Sequence, residues 1–141
     1  MDREKVLEYI FNLMPMLNKK LFKDFHRFEM PRQQMELLFT IKKENGKPMK
    51  YYCKKLMISK PNLTTTSNKL IKEGLLERKT DEEDRRIINL FITDKGKEFL
   101  SVYREKIKKH MLEQIEVLSD EDIKILNKNF EQMKSIFSKL D

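Results

Sequence analysis

The chain has 141 residues, of which 39% are hydrophobic and 38% charged, so it can bury one modest core in a soluble, helix-rich protein. No apolar run approaches the ~20 residues a membrane-spanning helix needs, and the charged start MDREK lacks a cleavable secretory pattern, so a cytoplasmic protein with no membrane partner is expected. One cysteine excludes an internal disulfide, and His26 and His110 lie too far apart to suggest a metal site, so no cofactor or metal is expected.

From Asp2 to about Phe28, residues Ile10, Met14, Leu17, Leu21 and Phe25 keep helical phase across Pro15. This predicts one long helix, kinked near Phe11 to Pro15 where proline deletes a backbone bond. Phe11, Met14, Met16, Phe22 and Phe25 have the spacing of plain core, although they can also line a cleft. A second helix is expected from Pro31 to Asn45-Gly46, with Met35, Leu38 and Phe39 inward. Met49 to Leu56 reads as a short third helix in which Cys53 faces inward as a buried, inert thiol. The link Met57 to Ser59 then leads into a fourth helix, the spacing of a helix-turn-helix.

Ser59 can cap that fourth helix and Pro61 sits where a missing donor costs nothing, so the helix starts at Lys60 and stops at Gly74. Leu63 and Leu70 mark its inner stripe. Lys60, Asn62, Thr64, Thr65, Asn68 and Lys69 fall on the outer face, where amide, hydroxyl and ammonium groups can meet phosphates or base edges. Leu75, Leu76 and Ile87 to Ile92 suit two strands around an exposed charged loop, Lys79 to Arg86, with Arg85 and Arg86 near its tip. A guanidinium on so thin a loop can enter a narrow minor groove, and the acidic run Asp81 to Asp84 can orient it by pairing.

Thr93 can cap a helix running to about Leu118, and Ser119 with Asp122 supplies a new start before Ile123, Leu126, Phe130, Met133, Phe137 and Leu140. So long an apolar stripe needs covering, and pairing with an identical chain covers it. The fold class is therefore mainly α with a small β-wing. In this organisation, residues 1–141 form a single domain in which a winged helix-turn-helix lobe, 31–96, is flanked by dimerisation helices 1–28 and 97–141.

Residues 47–80 hold nine Lys or Arg against two Glu, a local excess of +7 that equals the net charge of the whole chain. Positive potential is thus concentrated on the helix-turn-helix and wing, the footprint of a polyanion binder. A membrane surface would attract it too, but membrane association calls for a basic amphipathic helix with a large apolar face, and here the basic residues are divided among short elements.

Four pieces of the middle third resemble the MarR family of winged-helix transcription regulators: Ser59-Lys60-Pro61 at the helix entry, Leu70 through Gly74-Leu75 to Arg78 at its exit, Asp84-Arg85-Arg86 in the wing, and Ile92-Thr93-Asp94-Lys95-Gly96 at the return. The family frequently has a longer basic residue at Thr65 and an aliphatic pair where Thr66 and Ser67 stand. The resemblance implies a regulator of transcription, expected to be a repressor, that binds double-stranded DNA as a homodimer. It puts Arg86 at the family's minor-groove arginine and Thr64 at a hydroxyl near the backbone. The DNA-binding set is then Ser59, Lys60, Asn62, Thr64, Thr65, Asn68, Lys69, Arg85 and Arg86. Two helices on a two-fold axis address half-sites roughly 34 Å apart, and hence a near-palindromic operator.

The resemblance also implies release by a small aromatic or anionic effector wedged between dimer helices and lobe. The family's peroxide-sensing branch has its reactive cysteine in the first helix, where this chain has none, so thiol sensing is not expected. His26 and His110 read as surface or interhelical residues. No phosphate loop, nucleophile elbow or metal-ligand spacing occurs, so no catalysis is expected. The competing function is a winged helix that docks an acidic protein without reading DNA.

Overall fold

The computed structural model describes residues 2–25 and 30–140. Among these residues, six α-helices and one two-stranded sheet follow in the order α1 (Arg3–Leu21), α2 (Arg32–Lys43), α3 (Met49–Leu56), α4 (Lys60–Lys72), β1 (Leu76–Thr80), β2 (Ile88–Ile92), α5 (Asp94–Ile115) and α6 (Asp120–Phe137), with a 3-10 turn over Ser138–Leu140. The chain divides into two compact units, His26–Lys106 and Met1–Phe25 with Ile107–Asp141. The first of these, the lobe, holds the core.

Leu37, Leu38 and Ile41 of α2, Tyr52 of α3, Leu63 and Leu70 of α4, Leu76 and Leu90 of the sheet and Leu100 of α5 are buried together. Each leucine or isoleucine contributes about 1.5–3 kcal/mol by leaving water, which is how a lobe this small holds together. Phe39, expected inward, is 40% exposed; its ring lies 6.0 Å from that of Tyr103 on α5. Cys53, expected buried, is half-buried at the edge of the core. Both lie where their helix faces turn away from the packed stripe, and a neighbouring ring covers Phe39 only in part.

The turn between α2 and α3 is pinned from below. The buried Tyr52 hydroxyl donates to the Glu44 carbonyl at 2.6 Å and accepts from the Lys47 N–H at 3.0 Å. Burial raises the Tyr52 pKa, so the phenol stays protonated and keeps donating. The Glu44 carboxyl is held below its usual range, first by a hydrogen bond from Tyr51 and then by the charge of Lys55. α3 ends at Met57, whose left-handed φ of 54° turns the chain into the three-residue link before α4.

β1 and β2 pair antiparallel from Leu76↔Ile92 to Thr80↔Ile88. Lys79 and Thr80, expected in the loop, therefore belong to the ladder, because backbone pairing is indifferent to how polar the side chains are. Segment 46–48 lies along the other edge of β2, with the Gly46 N–H donating to the Leu90 carbonyl and the Leu90 N–H to that of Lys47. Asn45 adds a side-chain bond, its Oδ1 accepting from the Ile92 N–H at 2.9 Å.

The start of α5 is built against the end of α4. The Thr93 hydroxyl accepts from the Gly96 N–H and donates to the Gly74 carbonyl at 2.6 Å, while Lys95 Nζ donates to the Glu73 carbonyl at 2.8 Å. Gly74 closes α4 in the left-handed region at φ 76°. Gly96 serves close packing: a Cβ there would stand 2.3 Å from the Leu75 carbonyl oxygen. Gly96 and Leu100 are buried, so the first turns of α5 belong to the lobe's core.

In the other unit, α1 is capped by Asp2, whose carboxylate accepts from the Lys5 N–H, and runs unbroken through Pro15. It ends at Leu21, earlier than its apolar phase suggested, because Phe22 to Asp24 form a turn in which Asp24 takes a left-handed φ of 57°. Residues 26–28, expected to continue it, and with them His26, lie outside the described residues. Met14, expected inward, is exposed, and so are Phe11 and Met16, which had the spacing of core. α6 opens with the expected capping box of Ser119 and Asp122, and α5 ends three residues short of Leu118. The rings of Phe25 and His110 lie 4.9 Å apart in this unit. No described residue of α1 or α6 is buried, and Phe130 (51%) and Leu140 (77%) are exposed.

Candidate nucleic-acid interface

α4 presents its polar face as anticipated, with a change in what its hydroxyls offer. Lys60, Asn62, Thr65, Asn68 and Lys69 are exposed, and Thr64, expected to be fully outward, is half-buried. The Thr64 hydroxyl donates to the Lys60 carbonyl at 2.9 Å and that of Thr65 to the Pro61 carbonyl at 3.0 Å. Their protons are therefore spent on the helix, and what remains for a ligand is oxygen lone pairs and methyl groups. Ser59 accepts from the Asn62 N–H at 3.3 Å as N-cap, a role that does not use its own hydroxyl proton. Thr66 and Ser67 are buried against the lobe, and the Ser67 hydroxyl is satisfied by the Thr64 carbonyl at 3.1 Å.

The wing tip is a closed, internally bonded turn. Asp81 accepts from the N–H groups of Glu83 and Asp84 and from the Asn89 amide at 2.9 Å. Asp84 then grips Arg86 three times: from its backbone N–H, from Nε at 3.1 Å and from Nη2 at 3.0 Å. Arg86 holds the Asp84 carboxyl below its usual range, and the Asn89 amide, followed by the Asp84 N–H, does the same to Asp81. The guanidinium of Arg86 is itself held charged by Asp84, with 90% of its side chain exposed. Arg85 is exposed beside it.

One residue outside the expected set joins helix to wing. The Arg78 guanidinium of β1 donates to the Asn68 side-chain oxygen on α4. A signal for this was present in the sequence: alternation along a strand puts Arg78 on the same face as Leu76, toward the lobe. Lys79, on the opposite face, pairs with Glu77 at 3.4 Å and lies over the Phe91 ring.

A helix-turn-helix followed by a two-stranded wing, with one polar helix face and a basic loop tip, defines the winged helix-turn-helix class. The MarR family model matches residues 30–88. The uncharacterized HTH-type transcriptional regulator YpoP of Bacillus subtilis (strain 168) is 25% identical over 141 residues, covering 99% of this chain and 92% of that protein. Transcriptional regulator Tm0710 from Thermotoga maritima superposes with a TM-score of 0.79 at 21% identity, over 97% of this chain and 96% of the other. Streptococcus pneumoniae FabT, solved in complex with DNA, gives 0.55 at 23% identity over 98% and 96%. Residues 30–88, the stretch from α2 into the wing, are thus similar to the MarR family of winged-helix transcriptional regulators, and the fold is the one seen in Tm0710.

Proposed function

We propose that this chain is a MarR-type transcriptional regulator that binds double-stranded DNA sequence-specifically as a homodimer, with α4 of each copy in the major groove and each wing in the adjacent minor groove. The observation that carries this is the wing arginine: Arg86 is extended into solvent yet aimed by three bonds to Asp84. A cation fixed in direction and left otherwise open suits a narrow groove of negative potential. Ser59, Lys60, Asn62, Asn68 and Lys69 supply donors along α4, while Thr64 and Thr65 contribute methyl surface of the kind that meets thymine. Arg85 adds charge beside the groove. The FabT complex with DNA supports this use of the shared fold.

A two-fold pair of lobes, with its lobe bounds near 31–96 and its flanking helices pairing the copies, addresses a near-palindromic operator with half-sites roughly 34 Å apart. Occupying promoter DNA blocks polymerase, so repression is the expected outcome. A cleft of about 350 Å³ in the lobe, lined by Met30, Met35, Phe39, Leu56 and Tyr103 and by the Arg32–Glu36 pair, suits a small aromatic effector that releases the DNA.

Binding to random duplex and to the protein's own upstream DNA, titrated with salt, tests this. The expected result is a steep salt slope and a marked preference for the upstream DNA, with Arg86→Ala weakening binding roughly tenfold while the fold is kept. Lys69→Ala gives the parallel loss from α4. Equal, weak binding to both duplexes favours docking to an acidic protein instead, and unchanged affinity in Arg86→Ala removes the wing from the mechanism.

A further inference from the structure

Arg78 does more than hold the wing to the helix. On β1 it shares the face of buried Leu76 and stands opposite buried Leu90, so its side chain runs along the lobe to α4 and meets Asn68. A guanidinium has five N–H donors and no acceptor, so only the oxygen end of the amide can face it. The orientation of the Asn68 amide is thereby fixed by chemistry: Oδ1 faces Arg78, which fills one of its two lone pairs, and Nδ2 offers two donors to whatever lies over the helix.

We infer that Arg78 sets the base preference of Asn68, so that the base opposite Asn68 is guanine and adenine is disfavoured. This rests on α4 lying in the major groove, as proposed above. An unrestrained asparagine reads adenine with both ends of its amide, the oxygen accepting from N6 and the nitrogen donating to N7. With Arg78 on one of the oxygen's two lone pairs, the N6 amino group of adenine would have to approach the other beside a guanidinium charge. Guanine presents two adjacent acceptors, N7 and O6, which suit the amide donors and are attracted by that charge. The residue that discriminates is thus the strand arginine, acting through the asparagine it positions.

Selection of bound duplexes from a random pool, with the full-length chain and its variants, tests the inference. Asn68→Ala identifies the relevant position as the one whose preference disappears. The wild type should select guanine there, and a guanine-to-adenine swap in its selected duplex should weaken binding roughly tenfold or more. Arg78→Lys keeps a donor and should keep guanine; Arg78→Met frees the oxygen and should turn the preference to adenine, with other positions unchanged. Adenine at that position in the wild type, guanine retained in Arg78→Met, or no position lost in Asn68→Ala overturns the role of Arg78 while leaving DNA reading intact. A wild-type chain that enriches no sequence overturns the DNA-reading proposal itself.

Discussion

A pair of arginines on a loop tip gains little from charge alone unless something fixes their direction, and Asp84 does this for Arg86. Solvent screens an ion pair this exposed, so the pairing matters for aim more than for stability. Its pH dependence follows from the sign of the shift. Asp84 and Asp81 have folded pKa values below the ordinary 3.8, so their contribution is fully present above that value and is lost as pH falls through the lower, folded one. Carboxyl NMR titration should therefore give midpoints below 3.8 for both, with the wing ordered at pH 4 and loosening only below it; a midpoint at or above 3.8 contradicts the bonded turn. At this scale the Asp84–Arg86 pair was legible because its members are two residues apart. The Arg78–Asn68 pair was not, since its members sit on different elements and only strand alternation hints that they meet.

Among the elements, the junction of α4, β1 and α5 is the least tolerant of change. Gly96→Ala drives a methyl into the Leu75 carbonyl, which belongs to backbone and cannot swing aside. The expected cost is about 1–3 kcal/mol, read as a lower midpoint in denaturant without loss of helix content in the folded baseline. An unchanged midpoint means that α5 can shift at no cost. Starts of helices were read correctly from the sequence at Ser59, Thr93 and Ser119 because a cap is a local event, settled within three residues. Ends were read less well. The apolar phase of α1 continues past Leu21, but the left-handed turn at Asp24 leaves no mark in periodicity. Lys79 and Thr80 looked like loop for a similar reason: their side chains are polar while their backbone is paired.

For the whole molecule, the unburied apolar side chains of α1 and α6 are what a single copy leaves unresolved. Phe130, Phe137, Leu126 and Ile136 of α6 are exposed in one copy, and a second copy is the occupant that the proposed two-fold reading of DNA requires. Phe130→Glu should shift the sedimenting species from dimer to monomer at micromolar concentration, with the helical circular dichroism of the lobe retained. A wild-type chain that sediments as a monomer removes the dimer. The winged lobe was legible from the sequence because caps, a glycine stop and strand alternation all agree there. The covering of the terminal helices was not, because an apolar stripe records that something must cover it and not which face of which neighbour does so.

Thr93 and Lys95 fasten the first turn of α5 to the Gly74 and Glu73 carbonyls just past α4 by two side-chain bonds, and Gly96 brings its backbone against the Leu75 carbonyl behind them. The two rods are thus welded at a corner. Torque applied to the first turns of α5 reaches α4 without passing through a flexible joint, so changing the pitch at which that helix would enter the groove proposed for it requires no rearrangement within the lobe.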